Sequence, residues 1–348
     1  MKIFIRSLKV FFINFIILIF FISILEIIFG YWFKDNNFGI YMRAERNRIN
    51  TISVNHHKNN EEINFTYKRN FYGFIGDEFN PQNVKIVFEG GSTGVEMWKP
   101  QEASIVGILN NLFLKNNIKK KIYNASVNGK SIRGYNYDFK NWFSKIPDFN
   151  PEYVIFYLGI NDRKFPDDEQ HRFYDEQYSL IQSKKIRDYI KNNSFILEKI
   201  KMIKNKYFIK NYDLYDMSKK NLYVDFNYID IDKAKKKHSK ILSNDEKKYL
   251  SSLKIRLDGL NQIIKKNDFI PIFITQIKFD GLSDRRLFLA NKEIKKFVKS
   301  NNYKIIPLDE LIDNVGVDDF FDEVHTTISG SKKIANTIYE HLVNIIVK

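Results

Sequence analysis

The chain has 348 residues, with 56 Lys and Arg against 41 Asp and Glu, a formal net charge of +15 and no cysteine. The missing thiols exclude disulfides, thiolate metal sites and cysteine nucleophiles, and the length suits one main domain with an insertion or an extra segment. The cations are scattered among Asn, Ile, Tyr and Phe without a compact arginine-rich arm, which argues against nucleic acid and leaves composition bias, or attraction to anionic membranes and acidic glycans.

Residues 10–33, VFFINFIILIFFISILEIIFGYWF, carry only Asn14, Ser23 and Glu26 as strongly polar interruptions. A run of that length spans a bilayer core of roughly 30 Å as a helix. A cleavable leader would have a shorter apolar region and a small-residue cleavage site, and EIIFGYWFKD offers none. The stretch reads as a retained anchor with Tyr31 and Trp32 at the interface. Glu26 is a cost within it, tolerable near the headgroups or paired with another helix. Lys2, Arg6 and Lys9 lie closer to the span than Lys34, Arg43, Arg46 and Arg48 on its far side. That places the amino terminus inside and the remainder outside the cytoplasm.

Residues 36–80 are polar and aromatic without a clear period. Beyond them, apolar runs alternate with helical ones: strand 84–89, helix 104–116, strand 121–126, helix 135–146, and strand 153–158 (YVIFYL), whose continuous apolar character suits a sheet covered on both faces. The alternation resumes with strand 269–277, helix 284–300, strand 303–308 and a closing helix from Ser329. This βα pattern predicts a three-layer α/β/α fold around a mostly parallel, flavodoxin-like sheet. The intervening stretch, about 165–247, is rich in Lys, Asn, Tyr and Asp. SLIQSKKIRDYI and SFILEKIKMIKNKYFI within it have helical spacing, so it reads as a helical insertion. The expected organisation is an anchor over 1–33, a lead-in over 34–80, and an α/β domain over 81–348.

Three turns fall at the expected carboxyl ends of the first three strands: EGGSTG, NASVNG and GIND. Ligands bind beyond those ends in an open parallel sheet. The first turn has neither the Gly-Lys-Ser/Thr ending of a P-loop nor the spacing of a dinucleotide turn. Alone it reads equally well as an ordinary strand-to-helix turn. With its two companions it suggests chemistry. Ser92 would open a helix, where N–H groups and the helix dipole favour developing negative charge. Gly129 can bring its N–H close to a substrate, and Asn161 can contribute a side-chain amide. A serine hydroxyl needs a base. His56, His57, His171, His238 and His341 lie in polar, charged or surface settings, whereas His325 follows Asp322 by one short turn in FFDEVHTTISGSKKIA, just after the last strand. The carboxylate would orient the imidazole, and the imidazole would take a proton from Ser92.

These blocks, in this order, resemble the SGNH hydrolase superfamily, also called GDSL-type esterases and lipases. Gly90-Gly91-Ser92 looks like the block that carries the nucleophile. Asn124 to Gly129 looks like the second, whose glycine N–H is an oxyanion donor. Gly159-Ile160-Asn161-Asp162 looks like the third, whose asparagine is another, and Asp322 to His325 looks like the last, with its acid and base. The resemblance covers roughly 84–165 and 269–346, leaving the anchor and the insertion outside it. It departs at Gly91, where the family's name motif carries aspartate; membrane-anchored members linked to envelope polysaccharides show a similar variant.

The resemblance implies acyl transfer on an ester by Ser92, His325 and Asp322, with the N–H groups of Ser92 and Gly129 and the Asn161 amide as oxyanion hole. No metal or organic cofactor is required. Water as acceptor gives an esterase, a sugar hydroxyl gives an O-acyltransferase, and a scaffold that merely retains the fold is a third reading. An acylated envelope glycan suits the anchor and the basic charge, and lipid esters are equally accessible to an anchored enzyme. Arg133 and Arg163 follow the second and third blocks. They are either solvated charge or candidate substrate-binding groups suited to an acidic sugar.

Overall fold

The structure, a computed structural model, describes residues 2–33, 38, 42, 45–55, 62–164, 182–207, 210–216, 228–313 and 315–347. Its centre is a five-stranded sheet of β3 (Ile86–Gly90), β4 (Ile122–Asn124), β5 (Tyr153–Tyr157), β7 (Ile270–Ile274) and β8 (Lys304–Ile306). The spatial order is β4-β3-β5-β7-β8, and every pairing is parallel. The strands are apolar throughout because both faces are covered. Val87, Val154, Phe156 and Phe273 point into one core, filled by Tyr135 and Phe139 of α4 (Ile132–Asn141), Leu253, Leu257 and Leu260 of α8 (Asn244–Asn267), and Ile294 of α9 (Arg285–Ser300). Ile86, Phe88, Ile155, Tyr157, Ile272 and Ile274 point into the other. There they meet Leu109 and Phe113 of α3 (Ile105–Lys115), Leu308 of α10 (Leu308–Leu311), and Ile334, Ile338 and Leu342 of α11 (Ile328–Ile346). The expected three-layer α/β/α fold with a parallel sheet is therefore what forms.

Element boundaries differ where side chains cap helices. α4 begins before the expected 135 because the Asp162 carboxylate accepts the Ile132 N–H at 3.3 Å. α8 lies where no helix was expected. Its start carries a capping box, with the Ser243 hydroxyl accepting from Glu246 N–H and the Glu246 carboxylate accepting from Ser243 N–H.

The lead-in is more ordered than its sequence suggests. β1 (Arg48–Asn55) and β2 (Glu62–Arg69) pair antiparallel, and β6 (Lys210–Asp216) joins β1 in parallel, making a second, three-stranded sheet. The insertion thus contributes a strand as well as α5 (Gln182–Asn193), α6 (Phe195–Tyr207) and α7 (Ile231–Lys237). Residues 165–181, 208–209 and 217–227 of the insertion lie outside the described residues. Ile52, Val54 and Tyr67 of the small sheet pack with Ile75, Val95 and Phe321, seating it against loops at the carboxyl edge of the large one.

α1 (Lys2–Phe29) contains a 24-residue stretch, Arg6–Phe29, long and apolar enough to cross a membrane and unburied by the rest of the chain. Glu26 is not left bare in it: its carboxylate accepts from Trp32 Nε1, Ser194 Oγ, Phe195 N and Ile196 N.

Candidate active site

Ser92 opens a one-turn helix, α2 (Ser92–Val95), directly after β3. Asn161 follows β5, the neighbour of β3, so both stand where the chain's winding reverses and two carboxyl ends part to leave a crevice. His325 lies on the loop before α11. Its Nε2 is 2.8 Å from Ser92 Oγ, across 233 residues of sequence, and its Nδ1 is 2.6 Å from Asp322 Oδ2.

The other Asp322 oxygen accepts the N–H groups of Val324 and His325 at 2.8 and 2.7 Å, which locks the carboxylate within its turn. Burial works against ionisation of Asp322, yet the His325 hydrogen bond and charge, with the two backbone donors, hold its carboxyl down at about 2. An ionised Asp322 only accepts, so Nδ1 must carry the imidazole proton. Nε2 of the neutral ring is then an acceptor, and the Ser92 hydroxyl donates to it. The ring packs in a three-ring cluster with Phe321, stacked at 5.6 Å, and Trp98 at 4.8 Å, which themselves lie 5.5 Å apart.

Gly129 has φ +73, a left-handed conformation that a glycine adopts without cost. A Cβ there would meet nothing within 4 Å, so backbone conformation rather than space is what favours glycine. The Asn161 amide donates one hydrogen to Lys130 O at 2.8 Å, which fixes its plane and leaves its second N–H to aim elsewhere. Neither Ser92 N–H nor Gly129 N–H has a backbone acceptor among the described residues. Gly91 is closed to a side chain, since a Cβ there would lie 2.2 Å from Asn161 Nδ2 and 3.1 Å from Lys130 O.

Arg163, expected as either solvated charge or a substrate-binding group, is not solvated. It is buried, ion-paired with Asp284, and 3.8 Å from Glu323. Half-buried Arg133 sits in the first turn of α4. Among the remaining histidines, His238 is buried with Nε2 3.0 Å from Leu282 O, and His341 lies on α11. His56, His57 and His171 lie outside the described residues.

The supporting residues that sequence reasoning missed are mostly buried charges. Lys99 Nζ lies 2.8 Å from Glu96 Oε1, 3.1 Å from Thr326 Oγ1 and 2.5 Å from Ser331 Oγ, tying the Ser92 turn to the His325 loop. Burial draws the Lys99 ammonium below its ordinary value, although Glu96 opposes that. Beneath the turn that carries Gly129, Lys130 Nζ is 2.7 Å from Glu89 Oε2 and 2.5 Å from Asp138 Oδ2, all three fully buried. Burial pushes the Glu89 carboxyl up to about 8 and that of Asp138 up to about 6, against the opposing pull of the Lys130 charge. From the lead-in, buried Arg69 donates to Ser126 O at 2.6 Å, bracing the second block. Lysine and arginine are so seldom buried that nothing in the sequence marks these three.

Neither a family model nor a curated protein matches the chain. Solved structures that resemble it include a member of the lipolytic protein G-D-S-L family from Veillonella parvula DSM 2008 (13% identity, TM-score 0.41, covering 74% of this chain and 97% of that one). Others are a catalytic mutant of Axe2, an acetylxylan esterase from Geobacillus stearothermophilus (12%, 0.42, 74% and 94%), and the psychrotrophic esterase EstA from Pseudoalteromonas sp. (11%, 0.40, 76% and 99%). These are likenesses of shape at low identity, and the chemistry of the site rests on its own geometry.

Proposed function

We propose that the chain is a membrane-anchored serine esterase acting on an acyl ester of a cell-envelope glycan or lipid, with its α/β domain outside the cytoplasm. The observation that carries this reading is the continuous hydrogen-bond chain from Ser92 Oγ through His325 to Asp322. His325 Nε2 takes the Ser92 proton as Oγ bonds to the ester carbon. The negative charge that develops on the carbonyl oxygen is met by the N–H groups of Ser92 and Gly129 and by the Asn161 amide. The intermediate collapses, the alcohol leaves with the proton from His325, and water, deprotonated by the same imidazole, releases the acid from the acyl-serine. Asp322 keeps the tautomer correct and stabilises the imidazolium.

The test treats the full chain with a fluorophosphonate probe beside Ser92→Ala and locates the adduct by mass spectrometry. Acid release from acylated polysaccharides and from lipid esters is then followed. Labelling confined to Ser92, with ester cleavage lost in the variant, is the expected result. A folded chain that is neither labelled nor active would overturn the reading. Acyl groups recovered on sugar hydroxyls instead of as free acid would make it a transferase.

A further inference from the structure

The amino end of α6 and the last turn of α1 form one joint. The Glu26 carboxylate accepts the Phe195 and Ile196 N–H groups at 3.0 and 2.9 Å and the Ser194 hydroxyl at 2.6 Å, so a side chain of one helix caps another. Tyr31 N–H donates to Asn193 O at 2.8 Å, and the Phe29 and Phe195 rings lie 5.3 Å apart. Glu26 stands three residues before the end of α1, about 4.5 Å along its axis. The start of α6 is thereby pinned to the level where the apolar span ends.

α6 is also amphipathic in the wrong sense for a helix in water. Two of its charged residues face the protein: Glu198 pairs with Arg46 at 3.0 Å, and Lys201 Nζ donates to Arg46 O at 2.8 Å. Its apolar residues face out, with Leu197, Ile200 and Ile203 between 39% and 55% exposed. α5 continues the pattern with Ile186, Tyr189 and Ile190, while Arg187, Lys199 and Lys204 lie exposed on the same two helices. A surface helix normally buries its apolar stripe and wets its charges. An outward apolar stripe with cations at hand, continuous with a bilayer span, matches a helix lying in the headgroup region of an anionic leaflet.

We propose that α5 and α6 form an interfacial face that seats in the anionic bilayer surface beside α1. This rests on the anchor reading of α1. The seated face fixes the orientation of the catalytic edge: the small sheet, joined to α6 through Arg46 and Glu198, packs on Val95 and Phe321 next to Ser92 and His325. The enzyme would then work on esters held at a set attitude to the membrane instead of sweeping freely on a tether.

The chain has no cysteine, so single introduced thiols report one position each. Full-length I200C, I203C, L18C in the span and L114C on α3 are labelled with bimane and reconstituted in phosphatidylcholine–phosphatidylglycerol vesicles. They are then exposed to nitroxide-bearing lipid and, separately, to aqueous iodide. The expected result is that I200C and I203C lose most of their emission to the lipid nitroxide and little to iodide, as L18C does, while L114C shows the reverse. If L18C is quenched from the lipid but I200C and I203C only by iodide, the anchor stands and the seated face is refuted. If both positions are shielded from both quenchers, a protein surface covers the face and the proposal fails in favour of that partner. If L18C itself is reached only by iodide, the anchor reading falls and the proposal falls with it.

Discussion

Gly91→Ala is the most discriminating single change at the site. The position has φ −83, open to any residue, so alanine brings no backbone strain. Its Cβ would lie 2.2 Å from Asn161 Nδ2, over an ångström inside ordinary contact, and 3.1 Å from Lys130 O. The atom that must yield is the free end of a side chain, so the fold relaxes cheaply. Stability is expected to hold within about 1 kcal/mol, because Gly→Ala at a permitted φ gains roughly 0.4–1 kcal/mol from the unfolded state, which offsets the roughly 0.5–1.5 kcal/mol of the Asn161–Lys130 hydrogen bond that the displaced amide gives up. Activity is not expected to hold. The displaced amide loses its hydrogen bond to Lys130 O and its aim at the oxyanion, and one such donor is worth about 10²–10³ in kcat, or roughly 3–4 kcal/mol. Asn161→Ala should cost the same. The double variant should cost no more than either, because both remove one donor. The assay is kcat on a chromogenic acetate ester for the four proteins, beside their melting temperatures. Wild-type turnover in Gly91→Ala, or a double variant slower by the product of the two single losses, would refute the reasoning.

Asp322→Asn should retain the turn, since its oxygen can still accept from Val324 and His325, while its NH₂ faces the Nδ1 proton and forces the wrong tautomer; kcat should fall by about 10⁴ in steady-state assays. Because the Asp322 carboxyl is held down at about 2, its contribution to stability is complete above the ordinary carboxylate range and fades as pH falls toward 2. The gap in urea midpoint between wild type and Asp322→Asn should therefore close over that interval. Glu89 has the opposite sign: its carboxyl is raised from 4.5 to about 8, so it stabilises fully below 4.5 and stability declines as pH climbs toward 8. Glu89→Gln should flatten that decline in urea titrations. Lys130→Met leaves the two buried carboxyls without their cation and should cost about 3–5 kcal/mol, partly recovered when Glu89→Gln is added. Lys99→Met should cost a similar amount through Glu96, and should also lower kcat by loosening the His325 loop from the Ser92 turn, both readable from denaturation and turnover of one preparation.

The sequence alone determined the layers and placed the candidate site residues at the sheet edge. Strands buried on both faces are written as unbroken apolar runs, helices as a 3.6-residue repeat, and the three turns and the Asp322–His325 pair as short local blocks. The long apolar helix α1 was legible for the same reason, being a property of consecutive residues. What the tertiary structure decided lies between distant residues. It closed Ser92 on His325 across 233 positions, turned Arg163 inward to Asp284, and paired residues 48–55 with 210–216 into a sheet that neither segment announces. It also buried Lys99, Lys130 and Arg69, whose composition reads as surface charge, and gave Glu26 a helix to cap. Local pattern records what a residue's near neighbours demand of it. Whether a charge is desolvated, and by what partner it is then held, depends on which other elements pack over it, and only the folded chain fixes that.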